Sequence, residues 1–247
     1  MLLQLLTWPD VERYLTQSQS IIVPIGSTEQ HGPNGLIGTD ALCAEAVAKG
    51  VGEKADALVA PTIPVGMAQH HMAFPGSMTM LPSTLIAVIK DWVFSLSRHG
   101  FRRFYFINGH GGNIATVQAA FSEIYAAASL DGAGNQAALQ CRLRNWWQAD
   151  GIVSLSRELY GSAEGGHATP SELSMTWHLH PEAARPMRMD PEVAPSGEFS
   201  DAADYRRRFP DGRIGSNPGL ASVEAGKRLL DQAVLGLTED YRRWAAA

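Results

Sequence analysis

Glu29 and His31 stand two residues apart at the end of the run Ile21-Ile22-Val23-Pro24-Ile25-Gly26-Ser27-Thr28-Glu29-Gln30-His31-Gly32. In an extended segment, residues at that spacing point the same way. A carboxylate and an imidazole can therefore be aimed at one point just past the end of a strand. Asp40 follows within the next dozen residues, and His110 sits in Asn108-Gly109-His110-Gly111-Gly112-Asn113, directly after a second apolar run. Such a mixture of carboxylates and imidazoles suits Zn²⁺, Mn²⁺ or Fe²⁺ better than the all-oxygen shell preferred by Ca²⁺ or Mg²⁺. Asp40, placed at a helix start with both oxygens available, could bridge two ions. A pair of metals lowers the pKa of water and polarises a carbonyl, which is the chemistry that amide hydrolysis needs. Glycines around His110 let the backbone approach closely and leave N–H groups free for an oxyanion.

The elements that must position these residues can be read from the hydrophobic pattern. β-branched and aromatic runs predict strands over 21–25, 57–60, 103–108 and 138–144. Helices are expected after Thr7, over 40–48 with Thr39 as cap and Gly50 and Gly52 near the close, and over 84–98 with Ser83 as cap. Further helices are expected over 114–128, from Pro170 and over 222–245. A turn is expected at Gly132 to Gln136, structured loops over 62–77 and 161–167, and a long irregular flap or inter-subunit arm over 181–218. Strands alternating with helices predict an α/β fold, a mostly parallel β-sheet flanked by helices on both faces in a single domain over 1–247. In such sheets ligands collect outside the carboxyl ends of the strands, where Glu29, His31 and His110 would all lie.

Bulk properties exclude other classes of function. The chain has 247 residues, 45% hydrophobic and 18% charged, as in ordinary globular proteins. A net charge of -5 leaves no basic stripe for nucleic acid, and Arg206-Arg207-Arg208 reads as a solvated face. The apolar start is interrupted by Trp8-Pro9-Asp10 and has neither a basic lead nor a cleavage site, so neither a signal peptide nor a membrane span is expected. Cys43 and Cys141 lack metal-type spacing and are expected as buried free thiols in a reducing cytoplasm.

Gly26-Ser27-Thr28-Glu29-Gln30-His31-Gly32, Thr39-Asp40, Phe74-Pro75-Gly76-Ser77, Asn108-Gly109-His110-Gly111-Gly112-Asn113 and His167-Ala168 with Glu172 occur in that order. Together they closely resemble the creatininase (creatinine amidohydrolase) family. The resemblance implies a two-metal hydrolase, with Zn²⁺ and/or Mn²⁺ and Fe²⁺ as a further option, acting on a small-molecule amide and assembling as a homo-oligomer, often a hexamer. Carried across, Glu29 and His110 match ligands of one metal, His31 matches a ligand of the other, and Asp40 matches the bridge. His167 matches the acid/base histidine that protonates the departing nitrogen. Creatininase has a Tyr-Glu pair where this chain has Gly111-Gly112, and Glu172 is then the expected replacement ligand. It also has a tryptophan where this chain has Ala163. These departures favour a cyclic or formyl amide over creatinine.

Other readings compete. A His-Gly-Gly loop can form the oxyanion hole of a serine esterase, but the required Gly-x-Ser-x-Gly elbow is absent. Within the resemblance, the alternatives are a deformylase of formamidopyrimidine-type compounds, creatinine amidohydrolase proper, peptide cleavage in peptide-cofactor maturation, and a non-catalytic metal- or ligand-binding oligomer. His70, His71, Trp146 and Trp147 are equally compatible with pocket and packing roles, and Glu164 either orients His167 or is solvated.

Overall fold

A computed structural model describes residues 1–130 and 139–246. Strand β1 (Ser20–Ile25) is central, with β3 (Arg103–Asn108) on one side and β2 (Leu58–Val59) on the other, and β4 (Gln140–Asn145) completes a parallel sheet in the order β2-β1-β3-β4. Ser20 pairs with Arg103 and Ile25 with Asn108, while Arg103 pairs with Gln140 and Asn108 with Asn145. The three long strands therefore finish in register. Whatever follows Ile25, Asn108 and Asn145 meets at one edge.

The alternation of side chains along the strands feeds two cores. Ile22, Tyr105 and Ile107 face α2 (Thr39–Ala55), α5 (Ile152–Tyr160), α6 (Pro170–Leu179) and α8 (Val223–Ala245). Ile21, Val23, Ile25, Phe104 and Phe106 face α1 (Trp8–Leu15), α3 (Pro82–Arg98) and α4 (Ile114–Leu130). Helices thus cover both faces, as the pattern predicts. Both Cys43 and Cys141 are free thiols, but only Cys43 is buried as expected; Cys141, on the outer strand β4, is half-buried.

Several boundaries differ from expectation for identifiable reasons. Helix α2 runs through Gly50 and Gly52 to Ala55 instead of closing there. A Cβ at Gly50 would meet Val234 of α8 at 2.6 Å, and one at Gly52 would run into Val59 of β2. These glycines permit close packing rather than stopping the helix. Thr39 is the first helical residue, its hydroxyl donating to Leu36 O at 2.7 Å, and Gly38 holds the cap position. Helix α3 starts at Pro82, so Ser83 lies inside it. Ser222 does cap α8, accepting from the Ala225 N–H at 3.1 Å. The stretch 181–218 contains α7 (Ala202–Arg208), and α5 was not anticipated at all. The turn expected at Gly132 to Gln136 lies outside the described residues. Among the described residues no helix is long and apolar enough to cross a membrane.

Candidate metal and active site

Glu29 and His31 follow β1, Asp40 opens α2 and His110 follows β3; all four are buried. Close backbone approach assembles them. A Cβ on Gly109 would lie 2.8 Å from the carbonyl carbon of Asp40, and one on Gly26 would lie 2.6 Å from the same atom. Only residues without side chains let the ends of β1 and β3 come this near the start of α2.

The geometry brings the predicted residues together. Asp40 Oδ1 lies 3.0 Å from His31 Nε2, and its Oδ2 lies 3.1 Å from His110 Nδ1. Glu29 Oε1 lies 3.2 Å from the same His110 nitrogen and 4.0 Å from His167 Nδ1. Three sets of side chains have ligand atoms within 4.8 Å of one another: Glu29, Asp40 and His110; His31, Asp40 and Glu172; Glu29, His31 and His167. Asp40 is common to the first two, the position a bridging carboxylate would occupy. Glu172 reaches the site from the first turn of α6, where its carboxylate also accepts the Thr169 N–H at 2.6 Å.

The tautomers follow from the backbone. His31 Nδ1 lies 3.0 Å from Glu29 O, His110 Nε2 lies 2.9 Å from Met67 O, and His167 Nε2 lies 2.9 Å from Gln30 O. A carbonyl only accepts, so in His31 and His110 that nitrogen carries a proton and the other nitrogen is turned toward the carboxylates; His167 Nε2 also lies 2.8 Å from Gln30 Nε2. Glu29 Oε1 and Asp40 Oδ2 are buried and form no aligned hydrogen bond, although imidazole nitrogens sit at ion-pair distance. Imidazole nitrogens crowded against carboxylate oxygens in a dry pocket require positive charge between them, from protons on the rings or from cations. Two divalent ions fit this donor set.

In the metal-free protein, protons on His31 and His110 supply that charge. Burial acts against charge on His31, but Asp40 outweighs it and pushes its pKa up to about 10. Burial likewise opposes charge on His110, and Glu29 and Asp40 raise it to about 9. Asp40 and Glu29 stay below the usual carboxylate range; burial resists, and the neighbouring histidines prevail. Glu172 is pushed up to about 7 by burial, which His31 only partly offsets. His167 lies well below its ordinary value through burial and the nearby His71, His31 and His110. It is neutral, with Nδ1 directed toward Glu29.

Further residues that the sequence did not single out support these. The Ser27 hydroxyl donates to Glu29 Oε2 at 2.6 Å. His71, left without a role above, is buried with Nε2 3.0 Å from Glu29 Oε1, and Gln30 Nε2 lies 2.9 Å from its Nδ1. Gln30 is itself held by Gly212 O at 3.0 Å, which also accepts from the Tyr205 hydroxyl at 2.8 Å. The Ser216 hydroxyl donates to His167 O at 2.7 Å. The irregular stretch after Pro181 is thus packed against the site, with Arg213 fully buried and donating to Pro191 O and Ser216 O. His70 packs between His71 and Phe199, at centroid distances of 4.1 and 4.9 Å. Glu164 does not orient His167; it accepts from the Ser171 hydroxyl. Beside the cluster opens a cavity of about 490 Å³, lined by Asp40, His110, His167 and Glu172 on one side and by Trp146, Trp147 and α5 on another.

A sequence model of the creatininase family, described as creatinine amidohydrolase, matches residues 4–240. The chain belongs to the creatininase family. It is therefore an enzyme, a creatininase-like amidohydrolase acting on carbon–nitrogen bonds other than peptide bonds. The creatinine amidohydrolase of Pseudomonas putida is 26% identical over 254 residues, covering 96% of this chain and 94% of that protein. The mycofactocin precursor peptide peptidase of Mycolicibacterium smegmatis is 28% identical over 238 residues, covering 91% and 85%. A creatininase structure complexed with creatine superposes with a TM-score of 0.86 at 25% identity, covering 98% of this chain and 97% of that one. Other creatininase structures of this fold are described as manganese and Zn-Zn forms.

One departure from creatininase has a local physical counterpart. A Cβ at Gly112 would lie 2.6 Å from Met67 O and would crowd His110 Nε2, breaking the hydrogen bond that fixes that ring. No side chain fits there in this backbone, and the carboxylate of Glu172, from α6, lies near His31 and Asp40.

Proposed function

We propose that residues 1–247 work as one catalytic domain that hydrolyses a small cyclic or formyl amide at a pair of divalent cations, Zn²⁺ and/or Mn²⁺ with Fe²⁺ as a further option. Glu29, His31, Asp40, His110 and Glu172 would hold the cations. Cations bound there would polarise the amide carbonyl and lower the pKa of a water. The observation that carries this reading is the set of buried imidazoles, each pinned by one N–H to a backbone carbonyl and turning its other nitrogen toward Glu29 and Asp40.

His167 supplies the proton transfers. Its low basicity keeps it neutral in the resting site, and its Nδ1 faces the cluster. That atom accepts the proton of the attacking water and delivers it to the departing nitrogen as the C–N bond breaks. Gln30 O and Ser216 fix the ring and its backbone so that Nδ1 stays directed at the reacting atoms. The flat wall of Trp147 and the buried Trp146 suits a planar amide. Assembly as a hexamer in the cytoplasm belongs to the same reading, and sedimentation of the metal-loaded protein tests the assembly.

The test pairs elemental analysis of the purified protein with hydrolysis assays on creatinine, formamidopyrimidines, small lactams and short peptides. Wild-type protein should carry close to two ions per chain and cleave a non-peptide amide, and Asp40→Ala should lose both metal and rate. Unchanged metal content and rate in Asp40→Ala would overturn the site. Cleavage confined to peptides would overturn the substrate class.

A further inference from the structure

The cavity beside the cluster has a second chemical feature, on the wall contributed by α5. Val153, Ser156 and Arg157 stand at positions i, i+3 and i+4 of that helix and all line the cavity, so one helical face is turned to it. Arg157 is the one arginine or lysine among the lining residues. The acidic groups around it are engaged elsewhere. Asp40 faces His31 and His110, Glu172 accepts from Thr169 and Glu164 accepts from Ser171. Glu158, its neighbour in sequence, pairs with Arg228 at 2.8 Å. Among the described residues the Arg157 side chain makes no hydrogen bond or ion pair.

A guanidinium left without a partner on the wall of a substrate cavity is a recognition element for an anion. A phosphate dianion would ask for a second cation, and this wall offers none while carrying Glu164. A monoanionic carboxylate matches one planar guanidinium, with which it can form two parallel hydrogen bonds. The cavity has about 490 Å³, and a sphere of that volume is roughly 10 Å across. One small molecule can therefore place its amide beside His110 and His167 while its carboxylate meets Arg157.

We propose that Arg157 determines substrate specificity, selecting amides that carry a carboxylate away from the scissile carbonyl. The inference rests on the amidohydrolase reading and narrows its substrate class to acidic amides.

The experiment uses the metal-loaded full chain with N-formylglycine and its neutral counterpart N-formylglycinamide as probes, read by calorimetric binding and by hydrolysis. Wild-type protein should bind the carboxylate probe roughly 10-fold more tightly or better. Arg157→Gln should abolish that preference without changing affinity for the neutral probe, and Arg157→Lys should restore part of it. Thermal midpoints of both variants should match wild type, because the side chain is exposed at the last turn of α5. Equal binding of the two probes by wild type, binding of neither, or a preference retained in Arg157→Gln would each overturn the inference. Carboxylate-selective binding without hydrolysis of any amide would leave Arg157 supported and overturn the amidohydrolase reading instead.

Discussion

Replacing Gly109 with alanine tests how the site is assembled. Gly109 has ordinary backbone angles, so strain plays no part; what it provides is space. The added Cβ would sit 2.8 Å from the carbonyl carbon of Asp40 and 3.2 Å from its Cα, with the carbonyl oxygen nearer still. Non-bonded carbons settle at about 3.5–4.0 Å, so the start of α2 must retreat by roughly 1 Å, the nearer carbonyl oxygen included. No flexible side chain can absorb this, because every atom met is backbone. Overpacking of this kind costs about 1–3 kcal/mol, which in a chain of this length lowers the thermal midpoint by roughly 2–4 °C per kcal/mol. The larger effect falls on Asp40, since ligand sets tolerate only about 0.5 Å of displacement. Metal affinity should drop by at least about 10- to 100-fold, and turnover by about 100-fold. Gly111→Ala is the control, because a Cβ there meets nothing within 4 Å. Metal titration, calorimetry and amide hydrolysis on the two variants decide the matter. Full metal content and full rate in Gly109→Ala, or equal damage in Gly111→Ala, would refute the close-approach explanation.

Three further outcomes are expected. Ser27→Ala removes the donor to Glu29 Oε2 and should weaken metal binding by about 10- to 100-fold with little change in fold, measured by competition with a chelator; unchanged affinity would mean that Glu29 is held by other contacts. His167→Asn should retain both ions and lose nearly all turnover, whereas loss of metal would make His167 a ligand rather than a proton carrier. In the metal-free protein, Glu172 at about 7, His110 at about 9 and His31 at about 10 all hold protons more tightly than in the unfolded chain. The stability they contribute is complete below their unfolded values and is lost as pH rises through about 7 for Glu172 and about 9 to 10 for the histidines. Urea midpoints of chelator-treated protein should therefore fall between about pH 6 and pH 10, and a midpoint independent of pH would contradict the assigned proton affinities.

Much of the cluster could be read from the sequence because its carboxylates and imidazoles lie in short motifs at strand ends. Glu29 and His31 belong to one motif, His110 follows a six-residue strand whose bounds are those expected, and Asp40 opens a helix. What stayed hidden depends on contacts distant in the chain. Gln30 looks like a filler between two ligands, and only folding reveals that it bridges His71 to Gly212. Tyr205 lies in a proline-rich stretch without a clear hydrophobic period, yet Asp201 capping the Asp204 N–H was a readable signal for α7. For α5, Ile152, Leu155 and Leu159 carry helical spacing, but the segment is short and flanked by glycines. The glycines inside α2 misled because their purpose is set by Val234 and Val59, which local sequence cannot place.

The bracing of Gln30 and His167 by Gly212, Tyr205 and Ser216 bears on how the protein is made. Glu29 through Asp40 leave the ribosome when most of the chain is still untranslated, and Glu172 arrives much later. A growing chain thus exposes half a binding centre with its struts still missing. On the proposed reading, ion capture would be a property of the finished protein, and a product cut short before Tyr205 should be released empty.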